Sequence, residues 1–304
     1  MTINNKHDIW VERYRPQKID DLILPEKYLN KFKDFIKNPS NILLSSINPG
    51  TGKTSTMNAL IKEGNFESLF INASLENGID VLRGKIIQFA ASESFDGKPK
   101  IVILDECDQF TDSAQGALRG IIEEFASNCR FILTCNYITK IVPAIVNRFE
   151  VYDFDEVLDR NKQELVPKIF NYLKEILENE KVQFSQEDLV NVIKNYYPSI
   201  RGMVACLQKS NFNNVLSLDI QKDSDFSEII EFVKKRDFDK LMKTVYSLTN
   251  ADKFYEFAFR KLEIPNQNKP QAYIILAKYQ YQSAFSRDKN LNLAACLMEI
   301  ASLL

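Results

Sequence analysis

Histidine is almost absent from this chain of 304 residues: His7, close to the N-terminal end, is the single one. Acid–base or metal chemistry built on imidazole therefore has no candidate in the body of the chain. Cysteine is sparse as well. The five residues (Cys107, Cys129, Cys135, Cys206 and Cys296) are odd in number and never spaced as CxxC. Neither a disulfide framework nor a zinc module is expected, and buried free thiols in a reducing compartment are. No apolar run approaches the length that spans a bilayer, and the opening residues carry no secretory pattern, so the expected location is cytoplasmic, with no membrane partner. An excess of one charge is missing too. The net charge is −2, so no global basic field draws in nucleic acid, and any such binding must come from a local surface. What remains is ordinary for a globular protein with a proper core: 45% hydrophobic and 26% charged residues, in a length that suggests two or three domains.

Against that background two segments stand out. Asn48-Pro49-Gly50-Thr51-Gly52-Lys53-Thr54 follows a short apolar run, Asn41-Ile42-Leu43-Leu44-Ser45, and precedes a helical pattern from Ser55. Strand, glycine-rich loop and helix form the context of a phosphate-binding loop. Gly50 and Gly52 leave room for phosphates and can take positive φ. Backbone N–H groups then converge on the anion at the positive end of a helix dipole. Lys53 would reach the β- and γ-phosphates, and the Thr54 hydroxyl would ligate Mg²⁺. One departure is that Ile47 stands where the usual pattern opens with glycine. The second segment, Ile101-Val102-Ile103-Leu104-Asp105-Glu106, reads as a central parallel strand ending in two carboxylates. Ligands bind at the carboxyl ends of such strands. Asp105 would hold Mg²⁺ through its water shell, and Glu106 would polarise the attacking water. Together they imply binding of a nucleoside triphosphate with a divalent metal, and its hydrolysis.

The first half of the chain alternates strand candidates (Ile42–Ser45, Ser68–Ile71, Ile101–Leu104, Phe131–Cys135 and Val151–Phe154) with helical stretches such as Ile79–Ser92 and Ser113–Phe125. That alternation predicts an α/β fold with a parallel sheet covered on both faces. After Asp159 the strands stop. Gln163–Asn179 is helical, Ser185 reads as a helix cap, and another helix spans about Ile200–Lys209. The polar stretch Lys209–Asn214 reads as a boundary, and the rest is helical and rich in aromatics. Tyr273, Tyr279, Tyr281 and Phe285, like Leu293, Leu297 and Ile300, fall at roughly helical spacing and are expected in a core.

Several separated blocks resemble one family. They are Trp10-Val11-Glu12-Arg13-Tyr14-Arg15-Pro16, Asn72-Ala73-Ser74, Gly78-Ile79-Asp80-Val81-Leu82-Arg83, Asp105-Glu106-Cys107-Asp108, Ala114-Gln115-Gly116-Ala117-Leu118-Arg119 and Ser127-Asn128-Cys129-Arg130-Phe131-Ile132-Leu133-Thr134-Cys135-Asn136. In this order they resemble the AAA+ ATPases of the clamp-loader family, replication factor C small subunits, along nearly the whole chain. Phe95-Asp96-Gly97 points to the family's phage branch, the large ATPase subunits of T-even-type clamp loaders.

The resemblance implies three domains: an AAA+ P-loop ATPase domain over residues 1–157, a helical lid over 158–213 and a helical collar over 214–304. It implies ATP and Mg²⁺ as ligands. The implied partners are a sliding clamp, primer–template DNA and other subunits in a hetero-oligomeric, pentameric ring. The nucleotide contacts it implies are Trp10, Tyr14 and Arg15 on the adenine side, Pro49 to Ser55 (with Thr51) on the phosphates, and Arg201 from the lid. Asn136 would be a polar sensor near the γ-phosphate; the alternative is a turn-forming residue beside Tyr137. Arg148, in Asn147-Arg148-Phe149, would be an arginine finger acting in a neighbour's site, although both flanks depart from the family's Ser-Arg-Cys; the alternative is a surface pair with Glu150 or Asp153. Arg83 and Lys85 are candidates for DNA phosphates, with a solvated helix face as the alternative for Lys85. Gln115 and Arg119, four apart on one helix face, would couple the nucleotide site to DNA and the next subunit. The expected function is ATP-driven clamp loading in DNA replication. The alternatives are another DNA-associated AAA+ motor, such as a helicase loader, initiator or branch-migration subunit, or an ATP-binding scaffold that does not hydrolyse.

Overall fold

A computed structural model describes residues 8–76, 78, 80, 82–92, 99–218, 223–248, 251–262 and 264–303. His7, Ile79, Val81 and the Phe95-Asp96-Gly97 segment lie outside the described residues. The chain divides into two compact units, residues 1–218 and 219–304.

The first unit is built on five parallel strands: β1 (Ile42–Ser45), β2 (Glu67–Asn72), β3 (Lys100–Asp105), β4 (Cys129–Cys135) and β5 (Glu150–Asp153). Their order is β2-β3-β4-β1-β5. The three central strands are nearly continuous apolar runs because both faces are covered. Leu43, Val102, Leu104, Phe131 and Leu133 point into one core with Leu118 and Ile122. Ile42, Leu44, Ile101, Ile103 and Ile132 point into the other with Phe32, Met57 and Leu60. Each buried aliphatic side chain contributes about 1.5–3 kcal/mol relative to exposure. From β1 the chain runs through the helix Lys53–Gly64 and crosses to the edge strand β2. The ends of β1, β3 and β4 thus open at the switch point where such sheets bind ligands.

Three differences from the sequence reading have physical causes. Val151–Phe154 ends as a strand at Asp153, whose carboxylate accepts from the N–H groups of Asp155 and Glu156 and so starts the helix Phe154–Arg160. The helix expected over 79–92 is not regular: Leu82–Ile86 forms a π-turn that runs into the short helix Ile87–Ala91. It buries Leu82, Ile86 and Ala90 and leaves Arg83, Gly84 and Lys85 outside. The polar stretch read as a boundary contains a hairpin, and the two compact units divide just after it. Asn213 and Asn214 both take positive φ (50° and 62°), the requirement of a tight two-residue hairpin turn. Asn211–Phe212 (β6) thereby pairs with Val215–Leu216 (β7), and Gln183 bonds to Asn214 and Leu216 beside them.

After the helix Phe154–Arg160 come three more: Lys162–Asn179, Gln186–Tyr196 and Ile200–Lys209. Ser185 and Asp188 form a reciprocal capping box at the second. The second unit holds five helices among its described residues, Asp223–Lys235, Phe238–Ser247, Asp252–Lys261, Lys269–Ser283 and Lys289–Ala301. Leu293, Leu297 and Ile300 enter its core as expected. The aromatic stripe does so only in part: Tyr279 packs against the core, but Tyr281 and Phe285 are 71% and 76% exposed, and Tyr273 is also partly outside. Ala272, Ile275 and Leu276 occupy the inward face of that helix, which leaves Tyr273 and Tyr281 on the outer one. All five cysteines are buried and free. No helix among the described residues is long and apolar enough to cross a membrane.

Candidate nucleotide-binding site

The loop after β1 has the backbone its sequence requires. Gly50 and Gly52 sit at φ +78° and +109°, where L side chains are strained, and Gly52 caps the helix Lys53–Gly64. Successive N–H groups can then face one point. Ile47 costs the loop nothing: it is not at positive φ, and its side chain is 66% exposed. Lys53 is buried and donates to Ser46 O at 3.0 Å. Burial lowers its pKa, and the Asp155 carboxylate opposes that shift.

Opposite the loop, β3 ends in Asp105, buried beside Thr134 on β4. The Thr134 hydroxyl donates to Asp105 Oδ1 at 2.5 Å and accepts the Glu106 N–H at 3.0 Å. Glu106 itself takes the left-handed conformation (φ 57°, ψ 40°), rare for a side chain of its size. Its Oε2 accepts a hydrogen bond from Ser74 Oγ at the end of β2. Asp108 accepts the N–H groups of Asn136 (3.1 Å) and Tyr137 (3.3 Å), which fixes the chain at the tip of β4.

These groups share one cleft. Pro49 to Ser55, Asp105, Glu106 and Asn136 line it, and Arg201 and Ile200 close it from the third lid helix. Arg201 N–H donates to Gly50 O at 3.3 Å. At the far end Leu22, Leu24, Val11, Pro16 and Arg15 make an apolar recess with one cation, suited to a nucleobase. Thr56 Oγ1, on the helix that follows the loop, is buried and has no hydrogen-bond partner in the protein. Trp10 and Tyr14 correct the expectation of direct contact, because neither lines the cleft. Trp10 is buried where the segment Trp10–Arg13 packs on the helix Ile200–Lys209, and its N–H donates to Gln208. The Tyr14 hydroxyl donates to Glu180 Oε1 at 2.7 Å. They hold the segment that presents Val11, Arg15 and Pro16.

Residues 43–156 match the family described as ATPase family associated with various cellular activities (AAA). The chain is 32% identical over 326 residues to the replication factor C small subunit of Picrophilus torridus, covering 97% of each. It is 33% identical over 250 residues to the sliding-clamp-loader large subunit of Escherichia phage RB69, covering 79% of this chain and 78% of that one. The chain belongs to the clamp-loader family of AAA+ ATPases. The corresponding subunit of Enterobacteria phage T4 is 29% identical over 316 residues and covers 99% of this chain and 98% of that one. Among solved structures, the RuvB Holliday junction branch migration motor of Thermotoga maritima overlays with a TM-score of 0.51 at 14% identity, covering 72% of this chain and 79% of that one, a likeness of fold alone.

The remaining expected residues of this clamp-loader chain stand away from the cleft. Arg148 is exposed and pairs with Glu123, which also meets Arg119 at 3.6 Å; neither Glu150 nor Asp153 is its partner. Phe149 is buried in the sheet's core, and so its departure from the family triplet anchors the arginine in place. Gln115 and Arg119 do not share an environment. Gln115 is 2% exposed; it donates to Lys140 O at 2.9 Å and accepts the Val142 N–H at 2.8 Å. Arg119 faces solvent. Gln115 thus ties the helix Asp112–Glu124 to the segment between Asn136 and Arg148. Arg83 and Lys85 are exposed on the π-turn, with Lys85 paired to Glu76 at 2.6 Å. Sequence reasoning gave no role to Thr134, Asp108, Ser74 or Asp155. The first three lie inside the blocks that carry the family resemblance, whereas Asp155 had no signal.

Proposed function

We propose that this chain is the ATP-hydrolysing subunit of a sliding-clamp loader and that it places a clamp on primer–template DNA during replication. Relatives across most of its length are named as subunits of such loaders. One observation supports the mechanism above others: the cleft gathers Lys53, Thr54, Asp105, Glu106, Asn136 and Arg201, while Arg148 stands on a separate surface. The chain thus has a complete binding half and a detached cation, the arrangement expected of a site shared between neighbouring subunits.

The residues present fit ATP with Mg²⁺. The loop gives a cradle of N–H groups at two positive-φ glycines. Thr54 and Asp105 make a donor set of one hydroxyl and one carboxylate, which suits an ion that keeps several waters and takes phosphate oxygens as its other ligands. When bound, Mg²⁺ would neutralise charge on those oxygens. Lys53, released from Ser46 O, has the γ-phosphate within its reach. Glu106 accepts a proton from the attacking water as its oxygen bonds to the γ-phosphorus and the bond to the β–γ bridging oxygen breaks, giving ADP and phosphate. Asn136, held by Asp108, orients that water. Arg201 tracks the phosphates from the lid, and Arg148 serves the adjoining subunit's site, where such a cation is worth about 10³–10⁵ in rate. Arg83 and Lys85 meet DNA phosphates.

Steady-state hydrolysis tests the reading, measured for the chain alone and in a reconstituted loader with clamp and primed DNA. Strong stimulation by clamp with primed DNA, lost in Glu106→Gln and in Arg148→Ala, is expected. A rate indifferent to both would refute it. Glu106 argues against a scaffold that only binds ATP.

A further inference from the structure

Asp155 lies outside every motif, yet its carboxylate holds the arm of chain that leads into the phosphate loop. Oδ1 accepts from Ser46 Oγ at 2.9 Å and from Asn48 Nδ2 at 2.8 Å. Oδ2 accepts the Ile47 N–H at 2.6 Å. Ser46 Oγ in turn accepts from Thr51 Oγ1 at 2.9 Å, and Ser46 O receives the Lys53 ammonium at 3.0 Å. A carboxylate at the second position of a helix usually serves that helix's own N–H groups. Here Asp153 already fills that role by accepting from Asp155 and Glu156, so Asp155 is free to turn to the loop. The next residue back reaches the loop as well: the Phe154 ring lies 3.8 Å from where a Cβ on Gly52 would be. The short helix Phe154–Arg160 therefore grips the loop at both ends, and it is the element that joins the sheet to the lid helices.

We propose that Asp155 is a positioning residue for nucleotide binding: it fixes residues 46–48 so that the loop is set before phosphate arrives, and it makes that setting depend on the lid's connecting helix. The inference rests on the nucleotide site described above. With Asp155 in place, ordering of the loop precedes binding and is not charged against it. Without it, Ile47 N–H and the Asn48 amide lose their acceptor, the Ser46 hydroxyl keeps only Asn48 O, and the loop samples other conformations.

The test is equilibrium binding of ATP and ADP to the full chain, with turnover of the reconstituted loader and the melting temperature of the nucleotide-free protein. Asp155→Ala is expected to weaken both nucleotides about tenfold or more and to raise KM in proportion. kcat at saturating ATP should stay within about twofold, and the nucleotide-free melting temperature should shift little. Asp155→Asn, which keeps one acceptor oxygen, should fall between. Affinity within twofold of the parent in Asp155→Ala would overturn the proposal. So would a parallel loss of kcat and melting temperature, which marks a merely structural residue. Lys53→Ala separates the two layers: intact nucleotide binding in that variant would refute the nucleotide site itself, whereas its loss beside an unaffected Asp155→Ala refutes only the role of Asp155.

Discussion

Replacing Thr134 by valine should disable Glu106, the carboxylate proposed to be catalytic, while leaving the shape of the core unchanged. The side chain is 1% exposed, and the two residues are nearly isosteric. The change removes a donor to Asp105 Oδ1 and an acceptor for the Glu106 N–H. A hydrogen bond to a charged group contributes about 1.5–3 kcal/mol and a neutral one about 0.5–1.5 kcal/mol, and both partners are left in a poorly hydrated place. The expected destabilisation is about 2–4 kcal/mol, which lowers the melting temperature of a unit of this size by about 5–15 °C. The catalytic effect follows from the backbone. Glu106 is held at φ 57°, a conformation that costs of order 1–3 kcal/mol in a residue with a side chain, and its N–H anchor on Thr134 helps to keep it there. Loss of the anchor should let the carboxylate wander and reduce kcat by about 10–100-fold, with ATP affinity changed far less. Thr134→Ser keeps the hydroxyl and should recover most of the rate. Differential scanning calorimetry and single-turnover hydrolysis read the two effects. A Thr134→Val protein with parental kcat, or a Thr134→Ser protein as slow as Thr134→Val, would refute the reasoning.

Three further outcomes are expected. Glu123→Gln breaks an exposed ion pair with Arg148, so stability should change by less than about 0.5 kcal/mol; under the role proposed for Arg148, turnover of the assembled loader without DNA should rise by up to about fivefold, and a phosphate-release assay reads it. Gln115→Ala removes two good buried hydrogen bonds, to Lys140 O and from Val142 N–H, and should cost about 2–3 kcal/mol in chemical denaturation; stimulation by DNA should fall much more than ATP affinity. Lys53→Met should stabilise the nucleotide-free protein at neutral pH. Burial lowers the Lys53 pKa, so the native state binds that proton less tightly than the unfolded chain does. The penalty is full below the lowered pKa and fades as pH rises towards 10.5, so the gap between variant and parent in denaturant titrations should narrow over that alkaline window. A gap that widens there would contradict the assignment.

The central elements were legible because local chemistry and tertiary role coincide in them. Gly50, Gly52, Lys53 and Thr54 announce the loop by their identity and spacing alone, and the run 101–106 announces both its burial and its two acids. What stayed hidden depends on distant contacts. Thr134 and Asp105 are joined across neighbouring strands, and Asp155 meets Ile47 across more than a hundred residues of chain. The aromatic stripe of Tyr281 and Phe285 misled because helical spacing says that residues share a face, and not which way that face turns. Asn213-Asn214 reads only as part of a polar boundary until the positive φ of both residues shows a hairpin turn.

Gly50 has one more consequence. A Cβ built on it would stand 2.5 Å from Ser199 Oγ and 2.8 Å from Arg201 Cβ, and its carbonyl is already bonded to Arg201 N–H. Loop and lid therefore touch through bare backbone, leaving no side chain's width between them. A methyl group at position 50 would act as a wedge in a door, parting that seam at the expense of the closed state.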